Sequence, residues 1–228
     1  LGCGLSTNWF LDLPLSAGVN TSFRGLRYED FRQTIDVPVE RSSNVNFQFG
    51  YRIHQLNMML LGVSTGMDVI KYTGEIVPRM QFPDNPAYQM AFSEIVSRSF
   101  QPGAITWATF SLSDDKRDHP VRPSNGYQWI FDTKVAAPMF PNEYGQMFGF
   151  VKAGIDFRWY TPLIMKYNTI LHIHGYAGII KAFPGCNVPY KELFHVGGQQ
   201  SVRGFYFGQI GPSLLGSSLG GSKAFFTN

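Results

Sequence analysis

With 228 residues, 15% of them charged and 15% aromatic, and with 24 glycines and 14 prolines, the chain is too poor in charge for an ordinary soluble domain and suits an all-β protein with one non-aqueous face. Its net charge of +3 is carried by scattered Lys and Arg, with no basic run of five or more that would point to nucleic acid or anionic lipid as the main partner. Cys3 and Cys186 are too few for a disulfide framework and sit in no CxxC or Cys/His pattern for zinc, and the longest apolar stretch, Asn57 to Val63, falls far short of the roughly 20 residues of a membrane helix. The N-terminal LGCGLSTNWF has neither the basic region nor the apolar core of a signal peptide.

Along the chain the apolar repeat is two rather than 3.6, which predicts strands. Leu15, Ala17, Val19 and Phe23 alternate with small or polar residues, and Val45, Phe47, Phe49, Tyr51 and Ile53 alternate with Asn44, Asn46, Gln48 and Arg52. A weaker alternation covers 58–69, and 104–113 reads as a strand whose two faces are ambiguous. Tyr127, Trp129, Phe131 and Val135 oppose Gln128, Asp132 and Lys134; over 146–160 the apolar set Met147, Val151, Ile155, Phe157 and Trp159 opposes Lys152, Asp156 and Arg158. Leu171, Ile173 and Ile179 then oppose His172, His174 and Tyr176, and an eighth strand begins at Gly220.

Alternation alone also describes a soluble sandwich with one wet face. Two features favour a transmembrane antiparallel β-barrel. The strands run near ten residues, the length that crosses a bilayer at a tilt, against about five or six in soluble sheets. Aromatics also gather near strand ends, at Trp9, Phe10, Tyr51, Trp159 and Tyr160, where a membrane barrel places interfacial girdles. The connections come in two lengths. Those around 12–15, 52–57, 137–145 and 160–168 read as short periplasmic turns, whereas the segments around 24–44, 73–103 and after Ile180 are long, and 85–99 reads as a short helix within its loop. Seven or eight strands, opening on a strand end and stopping within GGSKAFFTN, read as part of a larger barrel, because bare strand edges in lipid are costly.

Candidate chemistry is sparse. His172 and His174 share a strand face but lack the further ligands zinc requires, and Asp156 and Arg158 read as a polar network of the barrel lumen. Lys134 and Lys152 fall on the same lumen-facing set. The cluster DDKRDHP, Asp114 to Pro120, with Ser113 beside it, reads as a solvated loop tip, and neither a G-x-S-x-G elbow nor a phosphate-binding glycine loop occurs. No catalytic residues, cofactor or metal are expected.

The stretch HVGGQQSVRGFYFGQIGP is more specific. Gly204 permits a left-handed turn directly after Arg203, placing a permanently charged guanidinium at the tip of a fold-back, where a narrow lumen would demand an acidic partner. Phe205, Tyr206 and Phe207 would pack such a tip on the inner wall. A flexible glycine-rich surface loop with an incidental arginine is the alternative.

GGQQSVRGFYFGQIGP, Gly197 to Pro212, closely resembles the loop motif of the BamA-type outer-membrane protein assembly factors, whose relatives serve in mitochondrial and chloroplast outer membranes and in two-partner secretion. RPSNGY, Arg122 to Tyr127, resembles the lead-in to a barrel strand upstream of that loop, and GGSKAFFTN the start of the strand after it. The resemblance implies a sixteen-stranded barrel in the outer membrane of a Gram-negative type bacterium, of which 1–228 is the central part, with the loop at about 181–219. POTRA repeats that receive unfolded β-barrel clients and contact accessory lipoproteins, together with the first and last barrel strands, would lie outside this chain. It further implies that Val202, Arg203, Gly204 and Phe205 fold back into the lumen, supported by Gly197, Gly198, Gly208, Gly211 and Pro212, with Arg203 paired to an acidic wall residue beyond Asn228. The function implied is folding and insertion of barrel proteins, or, in the secretion branch, export of soluble polypeptides through a pore. About five POTRA repeats would mark the first and two the second.

Overall fold

A computed structural model of the chain describes residues 1–7, 14–26, 35–36, 39–53, 59–73, 77–78, 100–142, 145–164, 169–199, 201–214 and 217–228. Nine strands form one antiparallel sheet in sequence order: β1 (Gly2–Thr7), β2 (Leu15–Leu26), β3 (Val39–Ile53), β4 (Met59–Thr73), β5 (Gly103–Asp115), β6 (Gly126–Ala137), β7 (Phe150–Ile164), β8 (Thr169–Ala182) and β9 (Lys223–Thr227). The strand beyond the expected seven or eight is β1. Its Cys3, Leu5 and Thr7 are too weak an apolar signal to read locally, yet they pair with Thr21, Val19 and Ala17 of β2. The sheet is open, with β1 and β9 as its edges.

Directly paired residues share a face, so the register sorts the side chains. One face carries Val45, Phe47, Phe49 and Tyr51 of β3 and Ile155, Phe157 and Trp159 of β7, all exposed. Those of β7 continue across the ladder into Phe131, Trp129 and Tyr127 of β6 and into Ala177 and Ile173 of β8. Large apolar side chains left bare row after row fit a hydrocarbon solvent, not water. The opposite face carries Asn44, Asn46, Asp68, Lys134, Lys152 and Asp156, the polar lining of a lumen.

Near one rim the inner face turns apolar. Ile70, Ile105, Ala136, Phe150 and Ile180 form a buried cluster with Phe148, and Val188, Leu193 and Phe194 pack on it from the segment between β8 and β9. Each such Ile or Phe contributes about 1.5–3 kcal/mol when removed from water, so this patch is what draws the segment onto the wall.

Several expectations are corrected. Residues 137–145 join β6 to β7 at the rim of the long connections, not at the short-turn rim, and the 116–125 connection takes that place. The strand expected from 146 begins at Phe150; Met147 and Phe148 instead pair in parallel with Cys186 and Asn187. Gly149, whose Cβ would meet Cys186 Sγ and Phe183 at 3.1 Å, marks the break. Tyr160 belongs to the inner face, where its ring stacks on His172 at 4.4 Å between centroids, so it is no part of a lipid-facing girdle. Trp9, Phe10 and the helix expected over 85–99 lie outside the described residues.

Candidate functional site

The connection from β8 to β9 folds back against the inner wall. Pro189 opens a short 3-10 turn over Tyr190–Glu192, and that turn carries the charges that fasten the connection. Lys134 of β6 and Lys152 of β7 stand directly opposite each other in the register, a like-charge pair that is unfavourable by itself. Glu192 resolves it. Its carboxylate accepts hydrogen bonds from Lys134 Nζ at 2.6 Å and Lys152 Nζ at 3.5 Å, and its backbone oxygen accepts a second from Lys152 Nζ at 2.9 Å. Burial works to raise the Glu192 carboxyl, but Lys134, backed by Lys152 and Lys191, outweighs it and holds the group below the ordinary glutamate range.

Lys191 reaches the other way, donating to Asp68 Oδ2 of β4 at 2.9 Å, and Asp68 also accepts a hydrogen bond from Asn44 of β3. The Lys134 ammonium lies 4.9 Å from the ring centre of Trp107 on β5. One turn therefore ties together β4, β6 and β7. The Tyr190 ring packs on Phe100 at 5.3 Å, and its hydroxyl donates to Ser218 O at 2.9 Å, joining the descending and returning arms of the connection.

Beyond the turn the two arms form a narrow hairpin. Phe194 bridges Gly221, and Val196 bridges Ile210. The Gly197 N–H donates to Ser201 Oγ at 2.8 Å, and the Gly198 N–H to Phe205 O at 3.0 Å. Val202, Arg203, Gly204 and Phe205 make the tip, with Gly204 at φ 90°, a left-handed conformation that glycine adopts without penalty. Gly208 and Gly211 lie on the returning arm, and Pro212 O accepts the Leu219 N–H at 2.9 Å.

Arg203 is exposed at this tip, beside a cleft of about 750 Å³ that it lines with Gln199 and Phe205 to Phe207. Among the described residues no carboxylate pairs with it. On the inner wall Asp156 is already committed: its Oδ1 lies 3.0 Å from Arg158 Nε in an ion pair, and its Oδ2 lies 2.9 Å from His174 Nε2. Phe205, Tyr206 and Phe207 are exposed as well, so the nine strands supply no wall for them, in contrast to the sequence expectation.

The six lumen candidates, Lys134, Lys152, Asp156, Arg158, His172 and His174, all stand on the inner face, and they divide into two groups. The lysines bind the Tyr190–Glu192 turn; the other four form the Asp156 network, in which His172 stacks on Tyr160. Among the described residues no three of His, Cys, Asp and Glu converge as a metal site, and both cysteines are free. The Asp114–Pro120 cluster builds a turn. Asp118 accepts N–H groups of His119 and Ser124 at 2.9 and 2.8 Å, and His119 Nδ1 accepts those of Val121 and Arg122, both at 3.1 Å. Hydrogen bonds led by that from the Ser124 hydroxyl lower the Asp118 carboxyl to about 2.

Sequence reasoning missed Lys191, Glu192 and Asp68. The available signal was the pair Lys191-Glu192 following Pro189, in a chain otherwise thin in charge.

The Omp85 superfamily domain matches residues 1–228, the whole chain. Among solved structures, the crystal structure of BamA from Haemophilus ducreyi lacking POTRA domains 1-3 is similar to this chain with a TM-score of 0.71 at 18% sequence identity, covering 99% of this chain. The chain spans 43% of the length of that BamA, and the likeness is one of fold. A wall apolar outside and polar inside, a connection folded back onto it, and a family match from end to end lead to one assignment: this chain belongs to the Omp85 superfamily and forms part of a β-barrel in the bacterial outer membrane.

Proposed function

We propose that the chain is the central part of the barrel domain of an outer-membrane protein assembly factor, which folds and inserts β-barrel proteins without nucleotide, metal or covalent chemistry. The observation that carries this reading is the β8–β9 connection, fastened to the inner wall through Glu192 and ending in the V-R-G-F tip, in a chain of this superfamily. In the full protein, POTRA repeats and accessory lipoproteins would deliver unfolded clients. A weakly paired seam between the first and last strands would open and template client strands by β-augmentation, a favourable step because an unpaired backbone edge in hydrocarbon is costly. Arg203, without a carboxylate among the described residues, would pair with one on a later strand and hold the loop in its working position.

The test is Arg203→Ala in the full-length protein. Client barrel assembly should slow and the loop should become sensitive to protease. If both stay at wild-type levels, the role is wrong. If export of a soluble polypeptide fails while barrel assembly persists, the chain belongs to a secretion transporter instead.

A further inference from the structure

The outward face is almost without charge, and the register shows where its cations sit. Arg41 lies two residues inside the start of β3, Lys71 two residues before the end of β4, Lys181 one residue before the end of β8, and Lys223 opens β9. Arg41 and Lys71 are paired directly, and they follow Ser43–Val69 and Val45–Met67 on the outward face. Lys181 pairs with Val151, and Lys223 with Ile179, again outward. All four are exposed, and all lie at the rim of the long connections, the extracellular side of such a barrel. None makes an ion pair among the described residues. The one outward strand carboxylate among them, Asp114, sits at the opposite rim beside Lys116. Two cations facing each other across a ladder, with no acid paired to them among the described residues, call for an external anion.

Beneath Lys223 the outward face is hollowed. Ala153 and Ala177 leave a depression of about 540 Å³ between Phe131, Ile155, Ile179 and Phe225, with Lys223 on its edge. An acyl chain fits that floor and a phosphate fits that edge.

We propose that Arg41, Lys71, Lys181 and Lys223 form a basic collar that binds the phosphates of outer-leaflet glycolipid, with one acyl chain seated in the depression below Lys223. This rests on the outer-membrane placement of the barrel and not on the assembly role.

The full-length protein in mild detergent is offered bis-phosphorylated lipid A or the same lipid stripped of both phosphates, and retained lipid is counted by native mass spectrometry. Lipid A should be retained at least tenfold better than its dephosphorylated form, since each cation near an anionic surface is worth about fivefold. The quadruple variant R41Q/K71Q/K181Q/K223Q should lose that preference, while R117Q/R122Q at the opposite rim should keep it. Ala177→Phe, which fills the depression, should lower retention of lipid A with all four cations intact. Equal retention of the two lipids by the wild-type protein, which requires no variant to fold, overturns the proposal, as does an undiminished preference in a quadruple variant that remains heat-modifiable on gels.

Discussion

Replacing Glu192 by Gln removes one negative charge and leaves Lys134 and Lys152 facing each other with no counter-charge between them. The three side chains are 11%, 17% and 22% exposed, so the cluster is largely desolvated though still touched by water. Stripping one partner from a fully buried pair costs about 3–5 kcal/mol, and about 2–3 kcal/mol is reasonable for this wetter cluster. At 1.4 kcal/mol per tenfold, the undocked population of the turn should rise about 30- to 140-fold. Hydrogen exchange of the full-length protein in micelles reads this directly at the Leu193 and Phe194 amides, which donate to Tyr190 O at 3.1 Å and Gly221 O at 3.0 Å. Lys152→Met in the Glu192→Gln background should recover part of the loss by removing the repulsion. An exchange rate within about threefold of wild type would refute the electrostatic account of docking. The pH dependence has a defined sign. Because the folded Glu192 carboxyl lies below its ordinary value, its contribution is complete above the ordinary glutamate range and is lost as pH falls through the depressed value, so acid should release the turn.

Two further expectations follow from the hairpin and the wall. Gly197→Ala should open the hairpin, because φ is 127° there and the new Cβ would stand 2.2 Å from Tyr206 O, whereas Gly204→Ala meets no atom within 4 Å and should cost only about 1–2 kcal/mol of left-handed backbone strain. Limited proteolysis of the 198–205 segment should therefore separate the two variants; equal sensitivity would contradict the close approach. Phe157→Arg on the outward face should destabilise the barrel by about 2–4 kcal/mol in urea titrations in vesicles, while Ser64→Arg on the lumen face should change it little. A reversed order would mean the two faces are misassigned.

The lipid and lumen faces were legible because alternation is local. A strand shows its two sides every two residues whatever its neighbours do, so Phe47, Phe157 and Asn46 declared themselves without partners. The V-R-G-F tip was legible for a similar reason, since a glycine after a charged residue at a turn is a backbone requirement written into four letters, and Gly204 adopts the positive φ that position needs. The same locality was silent at Ile70, Ile105 and Ile180. They occupy lumen-facing positions yet are buried, because a distant segment covers them, and nothing within their own strands records that cover.

The sequence by itself determined the membrane-barrel class, the two faces of most strands and the position of the loop tip. Only the tertiary structure decided what fastens that loop. Lys134, Lys152 and Glu192 are 18 and 40 residues apart along the chain, and their meeting depends on register and on the fold-back. The same holds for the outward cations, scattered singly from Arg41 to Lys223 with no basic run among them, which the strand pairing gathers at one rim. Periodicity is fixed residue by residue, whereas charge clusters across strands exist only once hydrogen-bonded ladders bring remote positions side by side.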